Sequence, residues 1–129
     1  MEIIFLIGRL IVGWFFLTTA YSHIVKASGL IGYAKYKKVP MAEVAVYGTG
    51  VLALLGGLAV TLGLYTNIGL WALIVFMVGV TFGMHQFWSI DDAGAKSNEY
   101  IAFRKNMAIL GLLLMMLALN TPWVMSLSL

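Results

Sequence analysis

Two residues of this 129-residue chain have the type and the setting to do chemistry, His23 and His85. Imidazole titrates near neutral pH, donates and accepts hydrogen bonds and ligates metals, and an ionisable group inside an apolar protein is costly to keep. Near them stand Lys26, Trp88, Arg104, Lys105 and Asn106. Such a cluster could hydrogen-bond a quinone carbonyl, relay a proton or seat an anionic head group. The plain alternative is that His and Lys satisfy helix-end carbonyls and meet lipid phosphates. Two imidazoles on one iron would make a haem site, a weaker idea because no covalent attachment motif is present. The candidate ligand-binding set is therefore His23, Lys26, His85, Trp88 and Asn106. Arg9 is an intramembrane charge whose partner could be helix-end carbonyls, Asn120 or a substrate anion.

Other chemistries lack their residues. The chain has no cysteine, so it runs no thiol-disulfide relay and ligates no cluster through thiolate. No phosphate-binding glycine loop, nucleophile elbow or paired His-Glu metal motif occurs. The 8 Met residues read as apolar packing rather than a soft-metal path. No metal site, catalytic residue or intrinsic cofactor is assigned, and any catalysis would borrow a cofactor or a partner subunit.

The elements that must position these residues follow from hydropathy. Hydrophobic residues make up 62% of the chain and charged residues 10%, with a mean hydropathy of +0.98. A soluble domain carries about a quarter charged residues, so a bilayer organises this chain. Between Glu43 and Asp91 lie 47 residues without Asp, Glu, Lys or Arg, whereas one crossing takes about 20. That run crosses twice and turns at residues 63–67, where Gly63, Thr66 and Asn67 suit a reversal. The reading is all-α: one domain over 1–129, an integral membrane four-helix bundle with spans near 3–25, 43–64, 67–88 and 104–124. The first span has Glu2 and no early cation, so it reads as retained rather than as a cleaved leader.

Four spans put both termini and the 63–67 turn on one side. Loops 26–42 and 89–103 take the other, which holds seven of the 8 basic residues. The positive-inside bias makes those loops cytoplasmic, in a cell (inner) membrane, with both termini outside. The net charge of +3 is then a basic face on anionic lipid, and nucleic acid is not a partner. Residues 28–41 read as an amphipathic stretch on the membrane before Pro40 opens the next helix, and residues 91–98 as a polar loop. Trp14, Trp71, Trp88 and Trp123 read as interfacial anchors. Ala53, Gly56, Gly57 and Gly63, and the pair Gly79 and Gly83, read as seams where helices approach closely.

The order of several short motifs then resembles the DoxX family of small four-helix membrane proteins. They are Gly8-Arg9-Leu10-Ile11-Val12-Gly13 with Lys26, Val39-Pro40, Leu54-Leu55-Gly56-Gly57 through Gly63-Leu64-Tyr65-Thr66, His85-Gln86-Phe87-Trp88, and Phe103-Arg104-Lys105-Asn106-Met107-Ala108. The resemblance implies kinship with small subunits of thiosulfate:quinone oxidoreductase and with membrane-associated redox complexes. Two positions depart from the family's usual pattern: Ala53 stands where Glu is common, and His23 where a small residue is common. The resemblance implies a redox-associated, quinone-linked accessory subunit acting with a partner protein or as a homo-oligomer. The alternative is a non-catalytic structural or lipid-binding subunit of a larger membrane complex.

Overall fold

The computed structural model describes residues 1–119, 122 and 123. Long apolar runs satisfy their own backbone by becoming helices, and among the described residues five α-helices form: α1 Glu2–Val25, α2 Ala27–Tyr36, α3 Ala42–Leu62, α4 Thr66–Met84 and α5 Ala93–Leu117. α1, α3, α4 with the turn after it, and α5 are long and apolar enough to cross a membrane. α1 packs on α3, α3 on α4 and α4 on α5, while α2 leans on the start of α3. Phe16, Ala53, Val60, Leu70, Leu73, Phe76, Met77 and Leu113 fill the centre.

Because lipid tails are as apolar as leucine, close backbone approach holds these helices together. A Cβ on Gly56 would collide with Leu73 and stand 2.9 Å from the Gly69 carbonyl, and one on Gly57 would stand 3.0 Å from Leu17. Gly56 and Gly57 are thus seam residues between α3 and its neighbours. Gly63 instead ends α3 in the left-handed conformation (φ 73°), its N–H donating to the Ala59 carbonyl at 2.8 Å. Gly79 and Gly83 differ from the expected seam. Neither faces any atom within 4 Å of an added Cβ, and both border a cavity instead.

Three further expectations are corrected. α5 begins at Ala93, not near 104, because the Asp92 carboxylate caps it by accepting the Ala95 N–H at 2.9 Å. Most of the supposed 91–98 loop is therefore helix. Residues 28–41 do not simply lie on the membrane: Ala27 and Ala34 of α2 are buried against Ala42 and Val46 of α3. Trp14 stands in the middle of α1, and Trp123 is buried, its ring centroid 5.6 Å from that of Phe5. Arg9 is buried too, its guanidinium 6.0 Å from the Trp123 ring centroid. Asn120, its other suggested partner, lies outside the described residues.

Candidate functional site: a cavity between two histidines

The helix ends build the site. His23 lies two residues before the end of α1 and reaches α3 because Gly50 has no side chain; a Cβ there would stand 2.8 Å from His23 Cβ. The ring Nδ1 is 3.2 Å from the Val46 carbonyl and 3.0 Å from Thr49 Oγ1. The Thr49 hydroxyl itself donates to the Ala45 carbonyl at 2.6 Å. A carbonyl only accepts, so Nδ1 carries the proton and donates to both oxygens, and Nε2 is the free lone pair when the ring is neutral. Phe76 flanks the ring, with centroids 5.6 Å apart.

His85 caps the other end of the site. α4 stops at Met84, and residues 85–86 break the helix before a short 3₁₀ turn, Phe87–Ser89. The break is satisfied locally: the Gln86 amide donates to the Phe82 carbonyl and the Ser89 hydroxyl to the Gln86 carbonyl, each at 2.9 Å. Phe87 and Trp88 of this turn pack edge-on against Phe103 of α5, with centroids 5.2 and 5.8 Å apart. That aromatic contact sets His85 opposite Glu99 of α5, and His85 Nδ1 donates to Glu99 Oε2 at 2.8 Å.

Glu99 is a hub. Its Oε1 accepts from the Tyr33 hydroxyl at 3.1 Å and lies 3.3 Å from Lys37 Nζ. Tyr33 and Lys37 are four residues apart, Tyr33 on α2 and Lys37 at its end, and so share a face. One carboxylate therefore joins α2, the turn after α4, and α5. Burial, and secondarily the bond to Glu99, raise the Tyr33 phenol above its ordinary range, so it remains a neutral donor.

Both histidines line a mainly apolar cavity of about 330 Å³. His23 comes to it from α1, Leu30 and Tyr33 from α2, Val46 and Thr49 from α3, and Gly79, Val80, Gly83 and Met84 from α4, with His85 beyond. Ligand pockets run from about 300 to 1,000 Å³, so this one suits a single substituted ring and is small for a tetrapyrrole. A wider, more polar vestibule adjoins it, sharing Tyr33, Val39, Gly83 and Met84 and bordered by Lys37, Lys38, Gln86 and Glu99. Among the described residues no three His, Cys, Asp or Glu side chains gather as a metal site.

Of the five candidate residues, the structure brings His23 and His85 to one cavity and leaves the other three off its wall. Lys26 is exposed at the α1–α2 joint, its ammonium 6.0 Å from the Tyr21 ring centroid. Trp88 serves the aromatic contact with α5, and Asn106 is buried on α5. The reading missed Thr49, Tyr33, Lys37 and Glu99. Reading Asp92 as a helix cap would have placed Glu99 on the same helical face as Phe103 and Asn106.

The architecture defines a class: a bundle with four membrane-spanning helices and a polar-ended apolar cavity at one side. The DoxX family model matches residues 4–86, and the chain belongs to that family. No curated protein and no solved structure matches it. The match takes in every residue of the cavity wall, while α5 and Glu99 lie beyond it.

Proposed function

We propose that this chain is a redox-associated accessory subunit of the cell (inner) membrane, which holds the head group of a quinone and works with a partner protein. The observation that carries this reading is the pair of histidines that line one apolar cavity, one from α1 and one from the end of α4. A quinone ring is flat and apolar with two opposed oxygens. His85 is fixed by Glu99 and His23 by Val46 and Thr49, so each directs one ring nitrogen elsewhere and leaves Nε2 for a ligand. Protonated, Nε2 donates to a carbonyl oxygen; neutral, it accepts from a hydroxyl. The vestibule beside His85 gives that end a route to water for proton exchange.

The chain supplies binding and proton handling, and the electron partner is a separate redox protein, since the sequence carries no thiol pair. The basic loops face the cytoplasm in this reading, which puts the vestibule on that side.

The test is to reconstitute the protein in lipid nanodiscs, identify by mass spectrometry what stays bound, and titrate it with a decyl-tailed benzoquinone. Wild type should bind, and His85→Ala and His23→Ala should each weaken binding about tenfold, worth ~1.4 kcal/mol. Absence of binding, or binding indifferent to both substitutions, sinks the reading.

A second reading has its own observation. Ile3, Ile4, Ile7, Ile11 and Trp14 of α1 are more than half exposed, and a face so apolar meets lipid or another membrane subunit. A structural or lipid-binding subunit would need no more than that. Retention of a stable complex by the double histidine variant, with no quinone present, favours it.

A further inference from the structure

Val75, Val78, Gly79 and Phe82 recur at three- and four-residue spacing on α4, and all four are exposed. This row faces the hydrocarbon. In it Gly79 is the one position without a side chain, and Gly79 together with Gly83 also borders the cavity. Neither would bring a Cβ within 4 Å of another atom. The wall between cavity and lipid is therefore thinned where a bulky residue would have closed it. Elsewhere the same helices use glycine for contact, as at Gly56 and Gly69, whereas Gly79 and Gly83 serve no packing contact within this chain.

We propose that Gly79 and Gly83 form a lateral portal, through which the hydrocarbon tail of a neutral-headed amphiphile passes from the cavity into the bilayer. This rests on the quinone head-group reading and adds the route of entry and the need for a tail. Depth agrees with it. Gly79 precedes His85 by six residues, about 9 Å along a helix axis, so the opening is deeper in the hydrocarbon than the polar end of the cavity. An amphiphile would lie with its head toward His85 and its tail outward at Gly79. The head is neutral because the cavity wall offers imidazole and hydroxyl groups and carries no lysine or arginine. A phosphate head would call for cations on that wall. The vestibule is a poor path for a tail, since Tyr33, Lys37 and Glu99 give it a polar lining.

Two probes test the portal in nanodiscs: the decyl-tailed benzoquinone and its tail-less parent. Each is titrated against wild type, Gly79→Leu and Gly83→Leu, after thermal unfolding has shown that the variants fold. The open space at both glycines predicts that they do. Wild type should bind the tailed probe at least tenfold more tightly than the tail-less one. The Leu variants should lose most of that tenfold preference while holding the tail-less probe within about twofold. Equal affinity of wild type for both probes overturns the portal, as does a Leu variant that keeps the full preference. Loss of both probes alike in the variants overturns it too, by showing that leucine fills the head site. Unfolding of both variants contradicts the open space on which it stands. Failure of wild type to bind either probe removes the quinone reading itself, and the portal with it.

Discussion

His85 Nδ1 stands 2.8 Å from Glu99 Oε2, across the break between α4 and α5. The same carboxylate receives the Tyr33 hydroxyl and the Lys37 ammonium from α2 and its end, so removing it releases three groups at once. Hydrogen bonds to charged groups contribute about 1.5–3 kcal/mol each, and exposed ion pairs at most about 1. Because the cluster is partly open to water, Glu99→Ala should lower stability by ~1–3 kcal/mol in all rather than by the sum. Glu99→Gln should cost less, as an amide oxygen can still accept from one donor. Thermal unfolding in nanodiscs measures both; an unchanged midpoint for Glu99→Ala would show that the hub does not hold α2 down.

Glycine has two opposite jobs here, and paired substitutions separate them. Gly56→Ala drives a methyl into Leu73 and toward the Gly69 carbonyl, an overpacking that costs about 1–3 kcal/mol. Gly79→Ala meets no atom within 4 Å and should leave stability the same or slightly higher, because alanine is the better helix former. Equal destabilisation by the two would mean that Gly79 does pack against a neighbour.

Much of the scaffold is legible from charge spacing alone, since each hydrocarbon crossing needs an uncharged run of fixed length. The boundaries that hydropathy misses are those set by local hydrogen bonds. Asp92 starts α5 in a stretch polar enough to read as loop, and Gln86 and Ser89 close the end of α4 inside an apolar stretch that reads as continuous helix. The site shows the same division. His23 and His85 stand out because ionisable groups are rare in such a chain, and an up-down bundle brings their helix ends to one side. Glu99, Tyr33 and Thr49 do not stand out, because polar residues near an interface are common and only the packing of α2 and α5 selects these. The GxxxG spacing at Gly79 and Gly83 gives their shared face correctly, but spacing cannot tell whether that face meets a helix or a void.

Tyr33 gives a pH signature. Its folded phenol titrates above the ordinary value near 10, because burial and the bond to Glu99 favour the neutral form. Above that value the unfolded chain releases the proton while the folded chain keeps it, so stability falls as pH rises toward the folded pKa. Tyr33→Phe should abolish this part of the alkaline loss and leave the profile below about pH 9 flat relative to wild type. Parallel wild-type and variant unfolding curves across pH 9 to 11 would contradict it.

The absence of cysteine makes orientation easy to test. Asn67, near the start of α4, and Ser97, in the first turns of α5, are both exposed. With an impermeant maleimide on intact cells, Asn67→Cys should label at once and Ser97→Cys only after permeabilisation. The reverse pattern would put the vestibule on the outer side and overturn the cytoplasmic assignment.

His23 and Thr49 should contribute unequally to ligand binding. Thr49→Val keeps the side-chain shape but removes one of two acceptors of the His23 Nδ1–H, and the Val46 carbonyl remains at 3.2 Å to hold the ring. One neutral hydrogen bond is worth about 1 kcal/mol, and here it orients the imidazole rather than touching the ligand, so affinity for the tailed quinone should fall only two- to threefold. His23→Phe keeps a ring of similar size beside Phe76 but has no Nε2, and should cost about tenfold. The order of the two effects is the informative quantity. If Thr49→Val costs as much as His23→Phe, the ring functions only in the one orientation that Thr49 enforces. If His23→Phe costs nothing, the imidazole packs the α1–α3 joint, and His85 alone addresses the ligand.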